Sequence, residues 1–139
     1  MTRTRTAFAV VALPLITLAG AVARPATAEA VRVDLKAVKI DHAKAARFEP
    51  GDLGDYVHAR TGILECYREE LARDRGAHGR IVVRVTLIRS GDVVDVAILK
   101  SEMNPRLADC VTNLMSAWQT PFRPEQPITI EFPLVFTPE

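Results

Sequence analysis

GRIVVRVTLIRSGDVVDVAIL, Gly79 to Leu99, is the stretch on which the fold turns, because it reads as a long β-hairpin without help from its surroundings. Ile81, Val83, Val85 and Leu87 place an apolar residue at every second position, with Arg84 and Thr86 between them, which is the period of a strand with one face in a core. Arg89-Ser90-Gly91-Asp92 supplies a turn whose glycine can take positive φ, and Val94, Val96 and Ile98 carry the alternation onto a returning strand. A hairpin alone is marginal in water, so the flanking segments must cover its apolar face.

On the amino-terminal side, Ala30 to Ile40 alternates through Val31, Val33 and Leu35 as a short strand and loses the pattern at Ala37-Val38. Residues 41–47 stay open between helix and loop. Phe48-Glu49-Pro50-Gly51 breaks the chain, and Asp52 is placed as the N-cap of a helix from Leu53 to Arg73, with Asp55 complementing the dipole. Tyr56, Ile63, Leu64, Tyr67 and Leu71 share one side of that helix, Cys66 flanks them, and Gly62 marks a bend or a split. Gly76 and Gly79 end it.

Beyond the hairpin, Asn104 and Pro105 make a capped start for a second helix, Arg106 to Trp118. Leu107, Cys110, Val111, Leu114 and Trp118 recur there at three- and four-residue spacings, so the second cysteine also borders a buried stripe. Thr120 to Pro124 carries the chain, extended, to a last strand in which Ile128, Ile130, Phe132, Leu134 and Phe136 alternate without a break. Thr129, Glu131, Pro133 and Val135 face the other way. Proline cannot donate to a ladder, so Pro133 predicts an edge strand, or at least one stretch of unpaired backbone. The order is strand, helix, strand, strand, helix, strand. It predicts an α+β fold of two layers, a small antiparallel sheet covered by two helices.

The compartment is legible as well. Arg3 and Arg5, the apolar run Ala7 to Ala23 and two small-x-small sites form a secretory signal peptide over residues 1–28. Cleavage is expected after Ala28, with Ala23 second, and an uncleaved inner-membrane anchor is the alternative. Residues 29–50 are then a short lead-in and residues 51–139 the folded domain. Processing removes Arg3, Arg5 and Arg24 and no acid, which leaves 15 basic against 17 acidic side chains. That balance argues against nucleic acid or an anionic membrane surface as a partner. Once the signal is removed no membrane span is expected. Cys66 and Cys110 both lie in the exported part, where two thiols are most simply a disulfide. There is no C-x-x-C and no zinc spacing, since the two cysteines and three histidines are scattered.

Cys66-Tyr67-Arg68-Glu69-Glu70-Leu71, Ser90-Gly91-Asp92-Val93, Lys100-Ser101, Cys110-Val111, and Trp118 with Pro121-Phe122 resemble the AgmX/PglI-type carboxy-terminal domain, a TonB carboxy-terminal-like module. The resemblance runs from about Asp52 to Pro138. It implies a β-α-β-β-α-β fold with disulfide-linked helices, acting as a non-catalytic periplasmic contact domain. In the family, phenylalanine commonly precedes the proline; here Pro121 precedes Phe122.

Catalytic chemistry finds no support in the residues. Ser101 and Ser116 lack a glycine elbow, and His42, His58 and His78 lack ligand spacing. Asp92 and Asp95 read as solvated turn carboxylates, not a metal site. No catalytic residue, cofactor or metal is expected. The last strand carries the functional expectation: as an edge it would take an extended segment of an envelope protein or peptide as an added strand, with Thr129, Glu131, Pro133 and Val135 as contact residues. A homodimer formed by edge-to-edge pairing is the second reading. Intact mass of the protein recovered from the envelope fraction is expected to show loss of Met1 to Ala28, and a gain of two hydrogens on reduction. A full-length mass would mark a retained anchor.

Overall fold

A computed structural model describes residues 11–12, 30–41 and 49–138. The expected signal peptide therefore lies, apart from residues 11–12, outside the described residues. The observed elements are β1 (Val31–Val33), a 3-10 turn (Leu35–Ala37), β2 (Lys39–Ile40), α1 (Pro50–His58), α2 (Thr61–Arg73), β3 (Gly79–Leu87), β4 (Val93–Ser101), α3 (Pro105–Ser116) and β5 (Ile128–Phe136). Together they form an open antiparallel sheet of 5 strands with three helices, ordered β1-β5-β3-β4, with β2 also paired to β5. The two-layer α+β expectation holds.

The hairpin forms as the alternation predicts. Ile81, Val83, Val85 and Leu87 are buried, and Gly91 takes φ +86° in the turn. That turn admits only glycine, because a Cβ at position 91 would lie 2.2 Å from the Thr120 carbonyl oxygen. On β4 the alternation slips. Leu87 pairs with Val93 while Thr86 pairs with Asp95, so Val94 is an extra residue in the strand and is 57% exposed instead of facing the core. A second irregularity pairs Val82 with Lys100 and Val83 with Ile98, which turns Leu99 outward at 43% exposure.

The first long helix is two. α1 begins at Pro50 after Glu49, so Asp52 lies in its first turn and is not its cap. The break falls at Ala59–Arg60. Gly62 sits inside the first turn of α2, where its missing side chain admits Leu114 of α3: a Cβ there would be 3.1 Å from Leu114 Cδ1. Asn104 caps α3 as expected, its Oδ1 accepting from the Arg106 N–H at 2.9 Å, and Pro105 occupies the first turn. Cys66 and Cys110 are joined, with Cα atoms 6.0 Å apart, and the bond staples α2 to α3.

β5 is not an edge. It pairs with β3 along its length, from Gly79–Phe136 to Leu87–Ile128, and on its other side with β1 and then β2. Pro133 is tolerated because of what stands opposite it. β1 ends at Val33, paired with Leu134, and β2 begins at Lys39, paired with Glu131. The gap between them holds the 3-10 turn, and the Pro133 carbonyl accepts from the Asp34 N–H at 3.1 Å. In an extended residue N and C=O point the same way, so the missing proline N–H faces that gap and no ladder bond is lost. The lead-in thus contributes two strands to the sheet.

Tyr67, Phe132 and Phe136 are fully buried, and the Tyr67 and Phe136 rings meet at 5.1 Å, joining helix layer to sheet. The Tyr67 hydroxyl donates to the Ala77 carbonyl. Burial, and secondarily the Asp74 carboxylate, raises the phenol above its ordinary value, so it remains a donor. Replacing Cys66 and Cys110 together by alanine is expected to lower unfolding free energy by up to about 4 kcal/mol, from loop-closure entropy. Urea unfolding of the oxidised protein and the double variant checks this.

Candidate functional site

Strand order leaves two margins to the sheet. One is divided between β1 and β2, of 3 and 2 residues. The other is β4, 9 residues long with β3 on one side only. Its first rung is closed: Asp92 bridges to Gln119, and the Val93 N–H donates to the Trp118 carbonyl at 3.2 Å. This connection is held by Thr120, whose N–H and Oγ1 both donate to the Gly91 carbonyl, at 2.9 and 2.8 Å. From Val94 to Ser101 the outer margin pairs with no strand among the described residues. Its main-chain groups are available to an extended segment, and the outward Val94 and Leu99 give that margin apolar surface.

The residues expected to bind a partner lie elsewhere. Thr129, Glu131, Pro133 and Val135 project from β5 onto the face opposite the helices, in the interior of the sheet. Glu131 stands in register between Lys39 and Arg84, and Val135 between Arg32 and Arg80. Thr129 Oγ1 is 3.4 Å from Thr86 Oγ1, and Pro133 opposes Val82. Arg80 donates to the Asp34 carboxylate at the margin of this face. A depression of about 280 Å³ is lined there by Lys39, Arg80, Val82, Lys100, Glu131 and Pro133. These side chains offer a mixed, mostly charged surface; they offer no free main chain, because both sides of β5 are occupied.

His58 and His78 are exposed, and among the described residues no three or more His, Cys, Asp or Glu side chains are placed to hold a metal ion. Near the closed end of the β4 margin, Tyr56, Trp118 and Phe122 form an aromatic group. Tyr56 meets Trp118 edge-on at 5.2 Å and Phe122 at 5.8 Å, and the Arg60 guanidinium lies 4.4 Å from the Tyr56 ring centre. Trp118 is thereby partly buried packing, as its place on the apolar stripe of the second helix suggested.

Sequence reasoning missed the β4 margin. Both hairpin strands look alike in pattern, and which of them is covered by β5 is set by a segment forty residues downstream. It also missed Glu70. Cys66 and Tyr67 lie three and four residues after Ile63, and Glu70 lies four and three residues after them, so an acid stands in a buried row, and that interruption was the available signal.

The family described as Gram-negative bacterial TonB protein C-terminal matches residues 70–138. The NMR solution structure of the Helicobacter pylori TonB carboxy-terminal domain is similar at 19% identity and a TM-score of 0.43, over 70% of this chain and 91% of that one. No curated protein matches the chain. If the β4 margin is free in solution, Val94→Lys and Leu99→Lys should each change unfolding free energy by less than about 0.5 kcal/mol, since neither side chain is in the core. Urea unfolding of the two variants measures it.

Proposed function

We propose that the protein, whose residues 70–138 match the TonB C-terminal family, is an exported, periplasmic, non-catalytic interaction domain that binds an envelope protein or peptide by strand addition at β4. The observation that carries this reading is the long outer margin of β4, with Val94 and Leu99 turned outward beside it. Main-chain bonds to the Val94–Ser101 stretch would supply affinity, and alternate side chains of the incoming strand would supply selectivity. The bulges at Val94 and Leu99 limit how long a regular ladder can grow, which suits a short segment better than a long one.

Periplasmic placement is supported by the family, by the amino-terminal signal pattern, and by the Cys66–Cys110 bridge, a bond that persists in an oxidising compartment. The narrower AgmX/PglI kinship is supported by the same two cysteines in their Cys-Tyr and Cys-Val contexts. No described helix is long and apolar enough to cross a membrane. The second reading, a homodimer, uses the same margin, with two β4 strands pairing edge to edge.

A photo-crosslinker at Val94 or Leu99 is expected to trap a partner in the periplasm. Trapping at Thr129 or Val135 alone would move the contact to the open face of the sheet and reject strand addition. A crosslink of the chain to itself, with a mass in solution that grows with concentration, would favour the homodimer.

A further inference from the structure

We propose that the cavity between the end of α2 and the start of α3 receives one arginine side chain of the bound partner, with Glu70 as its principal acceptor. Glu70 is 4% exposed, and its Oε2 has no hydrogen-bond partner. The nearest cation, Arg106 Nη2, is 3.9 Å from Oε1, too far for a hydrogen bond, and its side chain is 57% exposed. Several main-chain donors nearby are already committed. The Arg106 N–H goes to Asn104 Oδ1, the Leu107 and Ala108 N–H groups go to the Asn104 carbonyl, and the Gly76 N–H goes to Asp74 Oδ1. A carboxylate taken out of water and left an acceptor short is an unusual arrangement in a folded chain, and an incoming donor would complete it.

The walls say which donor. The cavity measures about 550 Å³ and is lined by Glu70, Asp74 and Glu102 together with Arg73, Arg106 and His78, three carboxylates against two arginines. Its room and its several acceptors suit a forked guanidinium, which can donate to two carboxylates at once. Its place suits a partner lying along β4. That strand ends at Ser101, and Glu102, Met103 and Asn104, the next residues in the chain, form part of the cavity wall. A segment added to β4 that runs past Ser101 would deliver a side chain there. That the arginine comes from a strand on β4 rests on the function proposed above; that the cavity takes an arginine does not.

N-acetyl-arginine methylamide, titrated into the full chain and followed by proton–nitrogen correlation spectra, tests the cavity by itself, with N-acetyl-glutamine methylamide as the uncharged control. Saturable displacement of the Glu70, Ala77 and Asn104 amides is expected, with arginine bound about tenfold more tightly than glutamine. Glu70→Gln should abolish that preference. Glu102→Gln, at an exposed position where folding is not at stake, should weaken arginine by about two- to threefold. Arg106→Gln, which removes the competing guanidinium, should strengthen it. Equal binding of the two probes, or full arginine affinity in both the Glu70 and Glu102 variants, overturns the proposal. So does loss of binding in Arg106→Gln, which would leave Glu70 an internal partner of Arg106. Arginine binding that survives while crosslinking at Val94 and Leu99 fails would sink strand addition and leave the cavity assignment standing.

Discussion

The antiparallel ladder between β3 and β5 holds the molecule together. It joins Gly79–Leu87 to Ile128–Phe136, segments far apart in the chain, and every second pair along it is an apolar pair on the helix-facing side: Ile81 with Leu134, Val83 with Phe132, Val85 with Ile130. All six of these side chains are at most 3% exposed. Burying each large apolar side chain is worth about 1.5–3 kcal/mol, so this seam, covered by the helices, is a large part of what stabilises the core. The helices cover it: Tyr67 of α2 packs on Phe136, and the disulfide fixes α2 against α3.

That ladder also decides where a partner can reach main chain. By taking the side of β3 away from β4, β5 leaves β4 as the long outer strand, and by accepting β1 and β2 it gives up its own second margin. The 3-10 turn between those two short strands is what lets a proline sit in the middle of a central strand. The Gly91 carbonyl, holding Thr120, closes the first rung of the free margin and ends it at Val94.

Glu70 sits at the far end of the same helix layer. It lies one turn beyond Cys66 on α2, as Arg106 lies one turn before Cys110 on α3, so the bridge that clamps the two helices also presents the carboxylate to the start of α3. A negative charge near a helix amino terminus is favoured by the dipole, which helps the fold tolerate it there. The hydrogen bonds it lacks are a separate matter, since the first-turn amides of α3 are taken by Asn104.

Local pattern by itself determined the hairpin, the two cysteine-bearing helices, the final strand and their order, because each is written as an alternation or a three-and-four repeat that burial of one face enforces. The wheel of the first helix showed its apolar side but not the break at Ala59–Arg60, and Gly62, read as a bend, proved to be space for Leu114. Pro133 suggested an edge because a proline's effect depends on what lies across from its nitrogen, and that is a turn a hundred residues earlier. The outward Val94 and the incompletely paired Glu70 were likewise beyond the pattern: one follows from a bulge that only strand register reveals, the other from how two helices are stapled together. Sequence fixes what each segment buries; which margin stays open, and which acceptor stays unmet, depends on neighbours that are distant in the chain and meet only when the sheet closes.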